Sequence, residues 1–161
     1  MERIERTALR NLIHNEEYSR KVLPFIKEDY FSDRLERLLF KEIYRFITKF
    51  NALPTKEALS IEINDSKDIT EDEYKKITDI IATLNPEKIN LDWLVETTEK
   101  FCKDRAIHNA ILSGIQIIDG KDKKHTPEYL PDLLSNALSV SFDQKVGHDY
   151  LLETKERFDF Y

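Results

Sequence analysis

Apolar side chains recur every three or four positions along most of the chain, the spacing of one face of an α-helix. The clearest such run follows Asp33, a residue type favoured at helix N-termini. Its apolar positions are Leu35, Leu38, Leu39, Ile43, Phe46, Ile47 and Phe50. Further on, Thr55 is predicted to cap a short helix, and Thr70 with Glu73 forms a capping box that opens another. The pattern therefore predicts a set of short helices around a central one.

A long helix is predicted between Asn90 and Asp119, because no proline interrupts this stretch and its first glycine is Gly114. A helix of that length would extend about 45 Å. A shorter return helix is predicted from Pro131, at its first position, to near Phe142. The side chains that it is predicted to bury are Leu133, Leu134, Ala137 and Leu138. Since this arm covers less than half of the long helix, apolar surface is left over, and such surface usually binds a partner.

The predicted fold class is all-α, in three parts. Residues 1–85 are predicted to form a compact multi-helix globule, residues 86–142 a long helical hairpin, and residues 143–161 an interdomain linker and the start of another helix. The linker is indicated by polar composition around one glycine, in Val146, Gly147, His148 and Asp149. Three glycines and five prolines are too few for the turns of a β-sandwich or barrel.

Charge and cysteine content narrow the class of protein. The net charge is −6, with 11 basic and 9 acidic side chains in residues 1–50, 6 and 12 in residues 51–100, and 8 and 10 in residues 101–161. No region shows the basic excess typical of nucleic-acid binding, so direct DNA binding is not favoured. The single cysteine excludes an internal disulfide and fits a reducing cytoplasm. No apolar run is long enough for a membrane span.

The sequence shows no catalytic or cofactor-binding motif. A phosphate-binding loop requires closely spaced glycines before a lysine, whereas Gly114, Gly120 and Gly147 lie far apart. The four histidines share no metal-ligand spacing, and Cys102 and His108 would face different sides of one helix. Paired carboxylates for hydrolysis cannot be singled out among 31 acidic residues. We therefore predict no catalytic, cofactor or metal site, and no NTPase activity for this chain alone.

Three stretches, in order along the chain, carry a resemblance to a known family. The first comprises Leu12, Ile13, Asn15, Tyr18, Lys21, Val22, Pro24, Tyr30 and Phe31. The second comprises Trp93, Leu94, Val95, Thr98, Glu99, Lys100, Arg105, Ala106, Asn109 and Ala110. The third comprises Ala137, Leu138, Ser139, Ser141, Phe142, Asp143 and Val146 to Asp149. Together they resemble the amino-terminal domain of T-even phage replicative helicases, within the DnaB-like hexameric helicase family.

The resemblance implies a role in DNA replication in the cytoplasm of the host cell. Such domains pair through their hairpins into a collar on a hexameric ring of ATPase domains, and the primase and helicase loader dock nearby. ATP and Mg²⁺ would be bound by the ATPase domain, which would follow the linker and would also make most DNA contacts. The candidate oligomerisation interface consists of Phe101, Ile107, Ile111, Ile115, Ile118, Leu133, Leu134 and Leu138. The alternative is a free-standing helical adaptor of the replisome, without a motor domain.

Overall fold

Helices account for all the regular structure in residues 3–142, the part of the chain that a computed structural model describes. The α-helices are α1 (Ile4–His14), α2 (Glu16–Val22), α3 (Arg34–Phe50), α4 (Lys56–Asn64), α5 (Glu71–Thr83), α6 (Leu91–Ile118) and α7 (Leu130–Leu138). Short 3₁₀ turns lie at Glu28–Tyr30 and Pro127–Tyr129. The all-α prediction is confirmed. The predicted linker, including Val146, Gly147, His148 and Asp149, lies outside the described residues.

The starts of α3, α4 and α5 are set by the capping side chains that the sequence predicts. The Asp33 carboxylate accepts a hydrogen bond from the backbone N–H of Glu36 at 3.1 Å. Thr55 caps α4 in the same way. At α5 the Thr70 hydroxyl accepts from the backbone N–H of Glu73, and the Glu73 carboxylate accepts from that of Thr70, both at 3.1 Å. These bonds satisfy N–H groups that the first turn of a helix leaves unpaired.

The chain divides into two compact units, unit 1 (Met1–Arg105) and unit 2 (Ala106–Tyr161). This division lies inside α6, whereas the sequence pattern suggested a boundary after residue 85. The first half of α6 belongs with unit 1 because Leu94 and Cys102 are fully buried there. The fully buried large side chains of unit 1 include Leu9, Leu12, Tyr18, Phe31, Leu39, Ile43, Leu59, Ile77, Leu84 and Leu94.

A buried carboxylate connects α1 to the start of α3. Glu36 is completely buried, and its Oε2 accepts a hydrogen bond from Arg6 Nε at 2.8 Å and pairs with the guanidinium of Arg3. Its other oxygen has no partner among residues 3–142. Because a buried charge is tolerated only when it is paired, the two arginines are needed to keep Glu36 inside the fold.

The C-terminal end of α5 is capped by side chains of α1. Arg10 donates to the carbonyl oxygen of Thr83 at 3.2 Å, and the His14 ring lies 2.7 Å from the carbonyl oxygen of Leu84. A carbonyl can only accept, so Nε2 of His14 carries the proton. These donors supply the cationic and hydrogen-bonding groups that the last turn of α5 itself lacks.

The return helix of unit 2 differs from its prediction. Helix α7 ends at Leu138, where the sequence predicted an end near Phe142. Of the residues predicted to be buried, Ala137 is buried and Leu133 is half-buried, but Leu134 and Leu138 are exposed. Predicting their burial was wrong, because a helix that packs on one neighbour turns only one side towards it. Helix α7 begins at Leu130, so Pro131 lies in its first turn but one position later than predicted.

Candidate interaction surface

Large aliphatic side chains stand exposed on the second half of α6. Ile111 is 51% exposed, Ile115 47% and Ile118 67%. At 100° per residue, these three positions fall within about 60° of the helix circumference. They therefore form one stripe, and the sequence predicts them together for that reason.

The opposite arm of the hairpin packs on a different side of α6. Ala110, Gly114 and Ile117 are buried, and their mean direction lies about 100° around the helix from the exposed stripe. A Cβ atom at Gly114 would stand only 3.2 Å from Leu130 Cδ2, so α7 begins in close contact with this side. The second half of α6 therefore has two apolar sides, and α7 covers only one.

The exposed leucines of α7 continue the same surface. Leu134 is 40% exposed and Leu138 68%, and both lie about 60 to 100° from the side of α7 on which Ala137 is buried. The chain turns back between Ile118 and Leu130, and the arms of such a hairpin run in opposite directions. On both helices the exposed residues are displaced from the contact in the same rotational sense. In an antiparallel pair, that displacement places both sets on the same side of the two helices. We call this surface the apolar face, and its members are Ile111, Ile115, Ile118, Leu134 and Leu138.

Three other residues of the predicted interface are buried or half-buried. Phe101 belongs to the core of unit 1, where it is 8% exposed and its ring centroid is 6.1 Å from that of Phe31. Ile107 and Leu133 are half-buried. Sequence reasoning also missed Leu112, which is 51% exposed and lies about 60° around α6 from Ile115. The signal was present, since the apolar set of α6 is wider than one partner helix would cover.

The buried polar groups of unit 1 serve packing. The Tyr18 hydroxyl lies 2.8 Å from Thr98 Oγ1, and burial raises the pKa of Tyr18 well above its usual value. Burial, with a smaller contribution from the charge of Glu99, raises the pKa of the Cys102 thiol to about 12. A thiol held protonated in the core is a poor nucleophile.

Neither a metal site nor a membrane span is found in the described part of the chain. Residues 3–142 contain no group of three or more histidine, cysteine or acidic side chains that could hold a metal ion. No helix among them is both long enough and apolar enough to cross a bilayer.

Comparison with known proteins supplies a relative. No family model matches the sequence. The DnaB-like replicative helicase of Enterobacteria phage T4 is 31% identical over 158 residues, an alignment that covers 93% of this chain and 33% of the relative. The chain is related to a phage replicative helicase. The resemblance predicted from three stretches is confirmed, and it extends over nearly the whole sequence.

The relation to the replicative helicase concerns one part of that protein. The chain spans about a third of the relative's length. The alignment includes α6 and α7, so the helices that carry the apolar face lie within a shared region.

Proposed function

We infer that the chain is a non-catalytic assembly domain of a phage replicative DNA helicase, and that it acts in DNA replication by pairing with further copies of itself. The apolar face of unit 2 carries this proposal. In the same proposal, ATP and Mg²⁺ belong to a separate motor domain, the paired domains form a collar on a hexameric ring, and primase and loader dock on that collar.

The composition of the apolar face supports pairing of identical chains. Its five members are all large aliphatic side chains, and exposed surfaces of monomers rarely cluster such groups. In a two-fold pair the same patch is used by both copies, so a face of this kind needs no differently shaped partner. The short α7 leaves room beside it for a helix of a second copy.

The energy available from one residue can be estimated from its exposure. Full burial of an isoleucine contributes about 1.5–3 kcal/mol. Ile115 is 47% exposed, so burying the remainder contributes about 0.7–1.4 kcal/mol per copy. The contribution is made twice in a two-fold pair, which corresponds to a factor of about 10 to 100 in the dissociation constant.

Sedimentation velocity of the 161-residue chain over a range of concentrations tests the proposal. We expect dimers or larger species, and at least about tenfold weaker association for Ile115→Asp and for Ile111→Asp. Ile61→Asp is the matched control, since Ile61 is 62% exposed on α4 of unit 1 and lies outside the apolar face. A wild-type chain that stays monomeric, or equal weakening by the control, contradicts the proposal.

A further inference from the structure

A groove runs along one side of α3 in unit 1. Two adjoining clefts form it, of about 400 Å³ and about 290 Å³. Both are bordered by Leu23, Pro24 and Tyr44. On the α3 side the groove extends from Phe40 to Asn51, a distance of about 16 Å along the helix axis. That length corresponds to three turns of a bound helix.

The walls of the groove are held by the fold of unit 1. On one side, the bend after α2 is fixed by hydrogen bonds from the backbone N–H groups of Phe25 and Ile26 to the carbonyl oxygen of Val22, at 2.9 and 3.0 Å. Val22 and Ile26 are buried beneath it. On the other side Tyr44, which is 43% exposed, stands between the two clefts. The groove is thus largely formed before anything binds, as is usual for binding sites.

The two ends of the groove differ in electrical character. At one end α3 terminates in Asn51, whose φ of 53° stops the helix and leaves the negative end of the helix dipole there. The charges of Glu16 and Arg20 at this end are paired with each other at 2.5 Å. At the other end Lys27 and Lys41 are exposed, and among residues 3–142 neither takes part in an ion pair.

The cleft that contains Lys27 and Lys41 also contains one carboxylate, Glu28. Two ammonium groups beside one carboxylate leave this end positive. A helical ligand is therefore favoured when its negative C-terminal end lies near the lysines and its positive N-terminal end lies near Asn51. That orientation is antiparallel to α3.

We propose that this groove binds a short amphipathic helix of a partner protein. The helix inserts large apolar side chains, spaced one turn apart, into the two clefts on either side of Tyr44. It presents acidic side chains near its C-terminal end to Lys27 and Lys41. The groove uses residues of unit 1 alone, so the proposal does not depend on pairing through the apolar face.

Two fluorescein-labelled synthetic peptides of about 14 residues test the proposal in the full chain by fluorescence anisotropy. Both carry leucines at positions i, i+4 and i+7. The acidic peptide has two glutamates near its C-terminus, and the basic peptide has two lysines there instead. We expect saturable binding with a preference for the acidic peptide, and a reversed preference when Lys27→Glu and Lys41→Glu are combined. Lys67→Glu with Lys75→Glu is the control, since both lysines are exposed on unit 1 outside the groove.

Two single variants locate the binding site. Tyr44→Glu should weaken binding about tenfold or more, because an exposed aromatic at the centre of a contact usually dominates its affinity. Its exposed position makes an intact fold the expectation, which circular dichroism checks. Ile115→Asp should leave peptide binding unchanged while it weakens self-association. The proposal is overturned by an absence of saturable binding, by equal binding of the two peptides, or by loss of binding in Ile115→Asp instead of Tyr44→Glu.

Discussion

The buried pairing of Glu36 with two arginines leads to an asymmetric prediction about stability. Glu36 is completely buried, whereas the side chains of Arg3 and Arg6 are 51% and 28% exposed. Replacing both arginines by methionine leaves a carboxylate inside unit 1 with no cation. Replacing Glu36 by leucine instead leaves two guanidinium groups that can turn towards water. The double arginine replacement should therefore destabilise the protein much more than Glu36→Leu does.

The magnitudes follow from the cost of burying charge. Removing the partners of a buried charge typically costs about 3–5 kcal/mol of unfolding free energy, and we expect that loss for the combined Arg3→Met and Arg6→Met variant. Glu36→Leu removes the buried charge itself, so its cost should stay below about 2 kcal/mol. As a control, Arg20→Met breaks the exposed pair with Glu16 and should change stability by less than about 0.5 kcal/mol.

Equilibrium urea unfolding, followed by far-ultraviolet circular dichroism, measures all three variants against the wild type. The order is the decisive result. If Glu36→Leu is at least as destabilised as the double arginine variant, then Glu36 contributes through packing or helix formation, and the reasoning from buried charge is refuted.

Further predictions concern polar groups of unit 1. Thr98 Oγ1 donates to a backbone carbonyl of its own helix at 2.7 Å, so the Tyr18 hydroxyl must donate to Thr98, and Tyr18→Phe should cost about 1 kcal/mol in urea unfolding. Thiol reagents should label Cys102 slowly in the native chain and rapidly in denaturant, as absorbance assays would show. The pKa of Cys102 is raised from 9.0 to about 12 and that of Tyr30 from 10.0 to about 12, chiefly by burial. The unfolded chain therefore loses these two protons at a lower pH than the folded chain does. The contribution of Cys102 and Tyr30 to stability is complete below pH 9 and is lost as pH rises towards 12. Cys102→Ala should flatten this decline in unfolding experiments at alkaline pH. His14→Ala should lower the thermal midpoint by removing a donor from the end of α5.

The elements that the sequence predicts well are those set by local interactions. Asp33 and the Thr70–Glu73 pair cap the helices that follow them, because a cap depends only on residues within one turn. The extent of α6 is also local, since it follows from the absence of helix-breaking residues. Such features can be predicted because no distant part of the chain has to be placed first.

Features that depend on distant partners were not predictable in the same way. Glu36 interrupts the apolar run of α3, and nothing nearby in sequence shows that Arg3 and Arg6 will neutralise it. The burial of Phe101 in unit 1 likewise depends on Phe31, which lies far away along the chain. Periodicity shows that a residue is on an apolar side of a helix, but not which neighbour covers that side.

The candidate interface shows the same limit of helical periodicity. The pattern along α6 correctly indicates more apolar surface than one short helix can cover, and the exposure of Ile111, Ile115 and Ile118 agrees with that. The error concerns α7, where Leu134 and Leu138 were predicted to be buried although both also belong to the predicted interface. At 100° per residue, the mean direction of Leu134 and Leu138 lies about 100° around α7 from that of Leu133 and Ala137. Applying the helical geometry to both arms separates the packed side from the free side.

The two units also differ in how far they can stabilise themselves. Unit 1 has a core of fully buried apolar side chains and pairs its buried carboxylate internally. Unit 2 leaves Ile118 and Leu138 about two-thirds exposed at opposite ends of the apolar face. Anything that binds only the folded form adds to its stability by mass action. If pairing covers this face, protection of unit 2 amides against hydrogen exchange should rise with protein concentration. Protection in the core of unit 1 should depend on concentration far less, because the side chains of that core are already buried within a single chain.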